Sequence, residues 1–178
     1  MQIKANWIET IQNKMKIFRI LILCTICISG ACIEKRNKGT DDDSFYKEKG
    51  DWDTGRISLI KPYEAIISNK EEGWGIGLEG IDGDTGFGNI RSINIVDGMI
   101  LIYSVNSILH GIDKPETWHI IIPKKQVEKG FDKHQDYLNY LVQLGINKEP
   151  KLHDIEMVAA YFDQNNVIEW NNINDKNL

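Results

Sequence analysis

Residues 90–105, Ile-Arg-Ser-Ile-Asn-Ile-Val-Asp-Gly-Met-Ile-Leu-Ile-Tyr-Ser-Val, are two β-forming runs joined by Asp97-Gly98. Asp-Gly between such runs is the strongest short-range hairpin signal a chain can carry. A two-residue loop there sets the register: Val96 faces Met99, Ile95 faces Ile100 and Ile93 faces Ile102. Four isoleucines then share one face. The other face takes Ser92, Asn94 and Val96 from the first strand but Met99, Leu101 and Tyr103 from the second, so the second strand is apolar on both sides. Such a strand belongs in the interior of a sheet. Each isoleucine, if fully buried, contributes roughly 1.5–3 kcal/mol, enough for the hairpin to nucleate a core.

The N-terminal region speaks to location. Residues 15–32 begin with Lys16 and Arg19, continue through an apolar stretch of about ten residues and end in Ser29-Gly30-Ala31-Cys32. That is the pattern of a secretory signal peptide, too short for a comfortable permanent span. Met15 is a natural start, so residues 1–14 read as an upstream extension. Ser29-Gly30-Ala31-Cys32 resembles the lipobox of bacterial envelope lipoproteins, with Ser29 where leucine is commonest. The resemblance implies that Cys32 is lipidated and becomes the mature N-terminus, so that the domain is exported and held to a membrane of the cell envelope. Ser29-x-Ala31 also suits ordinary signal peptidase, which gives simple secretion as the alternative.

Cys24 and Cys27 lie inside the apolar stretch, so their CxxC spacing is not a redox motif, and no cysteine follows Cys32. The mature domain therefore relies on its hydrophobic core. From residue 33 onward 17 Lys and Arg face 25 Asp and Glu, a net charge of −8. An acidic chain without a basic stripe argues against nucleic acid. The organisation expected is an extension and signal peptide over 1–31, a lipidated Cys32 with a polar tether over 32–50, and one domain over 51–178.

Within that domain, strands are expected over 56–60, 63–68 and 74–78, then the hairpin, a loop over 111–117 and a buried strand over 118–123. Two helices follow. The first has Asp132 as N-cap, Gln135 three residues on and Gly145 as stop, with Tyr137, Leu138, Leu141 and Val142 as its apolar stripe. The second runs over about 154–164, with Ile155, Val158, Ala159 and Phe162 at helical spacing, and residues 167–170 suggest a last short strand. The fold class is α+β: an antiparallel sheet built around the Asp97-Gly98 hairpin, with two C-terminal helices on one face.

The chemistry-bearing motifs are weak. Asp53-Thr54-Gly55 and Asp84-Thr85-Gly86 match the paired motifs of aspartic proteases, but their lead-ins are acidic and turn-like instead of apolar strands. Asp82-Gly-Asp84-Thr-Gly86 starts like a calcium loop, yet Phe87 stands at the sixth place and Ile93 at the twelfth, where glycine and a bidentate glutamate are needed. A Gly-Asp turn explains these residues. His110, His119, His134 and His153 stand singly, as solvent-facing or core histidines. No nucleophile elbow, phosphate loop or dinucleotide fingerprint is present, so no cofactor is expected. Trp118 and Trp170 read as core; Trp52 and Trp74, flanked by acids or glycines, read with Asp82 and Asp84 as candidates for a binding rim.

The run from Trp118-His-Ile-Ile-Ile-Pro through Gly130-Phe131 to Tyr137-Leu138 and Leu144-Gly145-Ile146 resembles the C-terminal half of small bacterial envelope lipoproteins of unknown activity. It implies a location and no reaction. The expectation is a non-catalytic, membrane-tethered domain that binds another envelope protein, as an inhibitor or immunity-type partner does. The rival is a ligand-binding or hydrolytic domain that uses the acidic Gly-rich loop, with calcium.

Overall fold

The computed structural model describes residues 43–51, 54–69 and 71–173, which lie in one compact unit, Thr40–Leu178. Cys32, the signal segment and Trp52 fall outside the described residues. The chain builds an antiparallel sheet and two C-terminal helices, the α+β class expected from the sequence. Seven strands follow one another as neighbours: β1 Gly55–Ser58, β2 Glu64–Ile67, β3 Trp74–Gly77, β4 Gly86–Val96, β5 Met99–Leu109, β6 Ile112–Ile122 and β7 Val127–Phe131. Helix α1 is His134–Gln143, β8 is the short His153–Asp154, and helix α2 is Ile155–Asn165.

The β4–β5 hairpin has the register its turn dictates. Val96 pairs with Met99, Ile95 with Ile100 and Ile93 with Ile102, and Asp97 and Gly98 both take positive φ, 50° and 74°. Strand β5 lies inside the sheet between β4 and β6, and Ile100, Leu101 and Ile102 are fully buried. Residues 112–117, expected as loop, instead extend β6 and pair with the far end of β5. Their polarity hid them: Asp113, Lys114, Pro115 and Glu116 form the outer part of a long hairpin, where no core selects apolar residues.

The two helices lie on opposite faces of the sheet, which revises the expected common face. Tyr137 and Leu141 of α1 pack with Met99, Leu101, Ile120, Ile122 and Phe131, whereas Ile155 and Val158 of α2 pack with Ile93, Ile100, Ile102 and Ile121. The alternation of β5 demands this, because a strand apolar on both sides leaves two faces to cover. The chain passes between them along the edge of β4. Strand β3 pairs with β4 up to Ile90, Arg91 bulges out, and β8 then takes Ser92 and Ile93, with Asn94 Nδ2 donating to the Lys151 carbonyl at 2.7 Å.

Helix boundaries follow the local signals closely. Asp154 caps α2 by accepting from the amides of Glu156 and Met157. Gly145 ends α1 with φ of 90°, its amide donating to Val142 while Ile146 donates to Leu141. The N-cap of α1 is Lys133, one residue past the expected Asp132, whose carboxylate pairs instead with Lys114 at 2.7 Å. The expected strand over 167–170 is absent; a 3-10 turn, Trp170–Asn172, stands at its end.

The sheet also curls. Ile57, Ala65, Trp74 and Ile76 of β1–β3 share one core with Ile93, Ile100, Ile102 and Ile121 of the long strands. The Tyr63 hydroxyl, in the turn between β1 and β2, reaches across to Glu128 on β7 at 2.9 Å.

Candidate functional site

A cleft of about 730 Å³ opens beside the start of α2. Its walls come from the lead-in to β1 (Asp51, Thr54), the start of β3 (Trp74), the bulge of β4 (Asn89, Arg91) and the first turn of α2 (Glu156). Among the described residues, five acidic ones line it, Asp51, Glu71, Asp154, Glu156 and Asp163, against the cationic Lys49 and Arg91. Its volume falls within the range of small-molecule and peptide side-chain pockets. Trp74 lines this cleft but is only 4% exposed, so it is a wall and not a projecting rim. Its indole N–H donates to Glu156 Oε1 at 2.8 Å, which ties β3 to α2. Gly55 makes this possible: a Cβ there would come within 2.7 Å of Ile67 Cγ2 and 3.1 Å of Trp74 Cη2.

Asp82 and Asp84 lie elsewhere, on the loop between β3 and β4. They border a cavity of about 10 Å³ with Phe87, His119 and Glu128, space for one water at most. Asp82 is exposed. Both oxygens of Asp84 accept from the His110 amide, at 3.0 and 3.1 Å, so this carboxylate pins the turn between β5 and β6. Among the described residues no group of three His, Cys, Asp or Glu side chains is placed to hold a metal ion. Sequence proximity thus grouped residues that the fold assigns to two places.

The acid–base groups near that small cavity serve as structural ties. His119 is 3% exposed, stacks on Phe87 with ring centroids 3.6 Å apart and shares a hydrogen bond with Thr117 Oγ1 at 3.0 Å. Burial, with a smaller effect from His110, pushes its pKa down to about 3, so it stays neutral at physiological pH. Glu128 is 4% exposed, and Oε1 accepts from Tyr63 Oη and the Glu79 amide while Oε2 accepts from the Ile81 amide. Burial and this carboxylate together hold the Tyr63 phenol well above its usual range. Neither Glu128 nor Glu156 stands out in the sequence: Glu128 sits in a polar stretch that reads as solvated and Glu156 reads as the polar side of an amphipathic helix, and only long-range packing gives them partners.

Calcium at millimolar concentration is expected to leave the melting temperature unchanged. Asp84→Ala is expected to cost about 1–3 kcal/mol, because the His110 amide loses its acceptor. A rise of several degrees with calcium, lost in Asp82→Ala/Asp84→Ala, would restore the calcium reading.

Compared with protein-family models, curated proteins and solved structures, the chain matches none of them.

Proposed function

We propose that this chain is an exported, lipid-anchored domain of the bacterial cell envelope that binds a protein partner without catalysing a reaction, in the manner of an inhibitor or immunity-type protein. The observation that carries the binding reading is the open cleft beside α2, where among the described residues five acidic side chains face two cations. A partner that presents a Lys- or Arg-rich segment fits it by charge. The non-catalytic reading draws support from His119 and Glu128, the two most buried groups capable of proton transfer near the second cavity, which are committed to holding the fold together. Anchoring rests on the lipobox-like segment ending at Cys32. No helix among the described residues is long and apolar enough to cross a membrane.

Two experiments test the proposal. A photo-crosslinker at Asn69, on the cleft wall, should capture one stoichiometric envelope protein from detergent-solubilised membranes, and raised salt should weaken the capture because the attraction is between charges near the surface. Capture that is salt-insensitive, or equal for a probe on the far surface at Val142, would remove the cleft from the account. For the anchor, several acyl chains hold where one is marginal, each buried CH₂ adding about 0.8 kcal/mol. The wild-type chain should therefore stay with membranes through a salt wash. Cys32→Ala should release it or leave the precursor unprocessed, with loss of fatty-acid labelling. A wild-type protein that is soluble, unlabelled and begins at Cys32 would make Ala31 an ordinary signal-peptidase site.

A further inference from the structure

Three turns of the domain are linked to one another by hydrogen bonds. Tyr63 Oη of the β1–β2 turn donates to Glu128, and the Glu79 and Ile81 amides of the β3–β4 loop donate to the same carboxylate. Asp84 of that loop accepts from the His110 amide of the β5–β6 turn. The turns therefore lie side by side along one margin of the domain. The chain leading back toward Cys32 departs from this margin: Asp43 pairs with Lys61 of the β1–β2 turn at 3.2 Å, and Lys61 Nζ lies 5.8 Å from the centre of the Phe45 ring.

Exposed apolar side chains gather here. Among the described residues the exposed large ones are Ile66, Ile81, Ile108, Ile112 and Val142, and three of them belong to this margin. Ile81 is 45% exposed on the loop, and Ile108 and Ile112 are 53% and 59% exposed on either side of the β5–β6 turn. That turn reaches past its neighbours, because β5 pairs with β4 only up to Ser104 and β6 pairs with β7 only from Trp118 onward. Residues 105–117 thus form a two-stranded extension, and core packing does not account for isoleucine at its exposed positions.

We propose that this margin, through Ile81, Ile108 and Ile112, docks on the lipid surface to which the chain is anchored. The proposal rests on the lipidation of Cys32. Ten residues separate Cys32 from Asp43, a span of at most about 40 Å. A link that short holds the margin beside the headgroups at a high effective concentration, where a contact too weak to recruit the domain from solution is still occupied. Charge selects the lipid. Glu79, Asp82 and Asp113 are exposed beside the isoleucines, whereas Lys61 and Lys114 each pair with a carboxylate, Asp43 and Asp132. The margin therefore fits a zwitterionic surface, and an anionic one repels it. None of these residues lines the cleft beside α2, so docking leaves the cleft open to its partner.

The acylated full chain in phosphatidylcholine vesicles tests this, with Ile81→Cys, Ile112→Cys or Val142→Cys carrying a polarity-sensitive fluorophore. Processing removes Cys24 and Cys27 and acylation blocks Cys32, which leaves the introduced thiol to react. Brominated acyl chains should quench the probes at 81 and 112 at least about threefold more than the probe at 142 on α1, because docked side chains sink into the headgroup–acyl boundary. Phosphatidylglycerol added to the vesicles at low salt should reduce the quenching at 81 and 112. Ile108→Ser/Ile112→Ser should reduce it at 81 while the chain still sediments with the vesicles. Quenching at 81 and 112 no greater than at 142, or quenching at 81 unchanged by the two serines, would overturn the proposal with the anchor intact. A wild-type chain that does not sediment with the vesicles would remove the anchor, and the docking with it.

Discussion

Ile100→Asp is expected to abolish the cooperative unfolding transition. Ile100 is fully buried, opposite Ile95 on β4 and Ile121 on β6, and it packs in the core that α2 covers. An aspartate there would put an unpaired charge among isoleucines, at a cost of several kcal/mol against a total stability of about 5–15 kcal/mol. Ile100→Val supplies the control, because removing one methylene should cost only about 0.5–1.5 kcal/mol and leave the transition intact. Circular dichroism against temperature reads both. If the aspartate variant melts within a few degrees of wild type, β5 is not an interior strand and the architecture described above is wrong.

The second large effect is a loss of stability in acid that passes through His119. Its pKa is about 3 in the folded chain, through burial first and the His110 charge second, against about 6.5 when unfolded. Below pH 6.5 the unfolded chain takes up a proton that the folded chain refuses, so unfolding becomes easier as pH falls. The contribution is fully present above about pH 6.5 and is lost progressively toward about pH 3. It amounts to on the order of 5 kcal/mol over that window. His119→Phe keeps an aromatic ring against Phe87 and removes the titration, at the expense of leaving Thr117 Oγ1 without its partner. Its stability should be lower at neutral pH but flatter between about pH 6.5 and pH 4, as read from urea midpoints. Parallel pH profiles for variant and wild type would show that His119 is not the group responsible.

These effects differ in how far they could be seen from the chain alone. The consequence of Ile100→Asp follows from the Asp97-Gly98 turn and the double-sided pattern of β5, both local. The importance of His119 does not, since a lone histidine beside Trp118 in an apolar run reads as core without any sign of what would hold it. Its neutrality comes first from burial, to which Phe87, thirty-two positions away, adds a ring stacked on it. Trp74 is a similar case. Its neighbours Gly73 and Gly75 suggested an exposed rim, but glycine at Gly55 on a strand two places across leaves room for the indole to pack inward. Glu128 and Tyr63, whose hydrogen bond ties β7 to the β1–β2 turn, are sixty-five positions apart, and neither had a local signal.

The sequence by itself determined the elements whose causes are local. It set the β4–β5 register through the turn geometry, the start of α2 through Asp154, and the stop of α1 through Gly145. It also set the overall class through the order of strands before helices. Tertiary structure decided what local causes leave degenerate. A strand apolar on both sides does not say which helix covers which face; the passage of residues 144–154 around the edge of β4 does. Nor does an acidic side chain in a polar stretch reveal whether it faces water or three donors. That depends on which backbone amides the curled sheet brings within hydrogen-bond distance, and for Glu128 they come from residues almost fifty positions earlier in the chain.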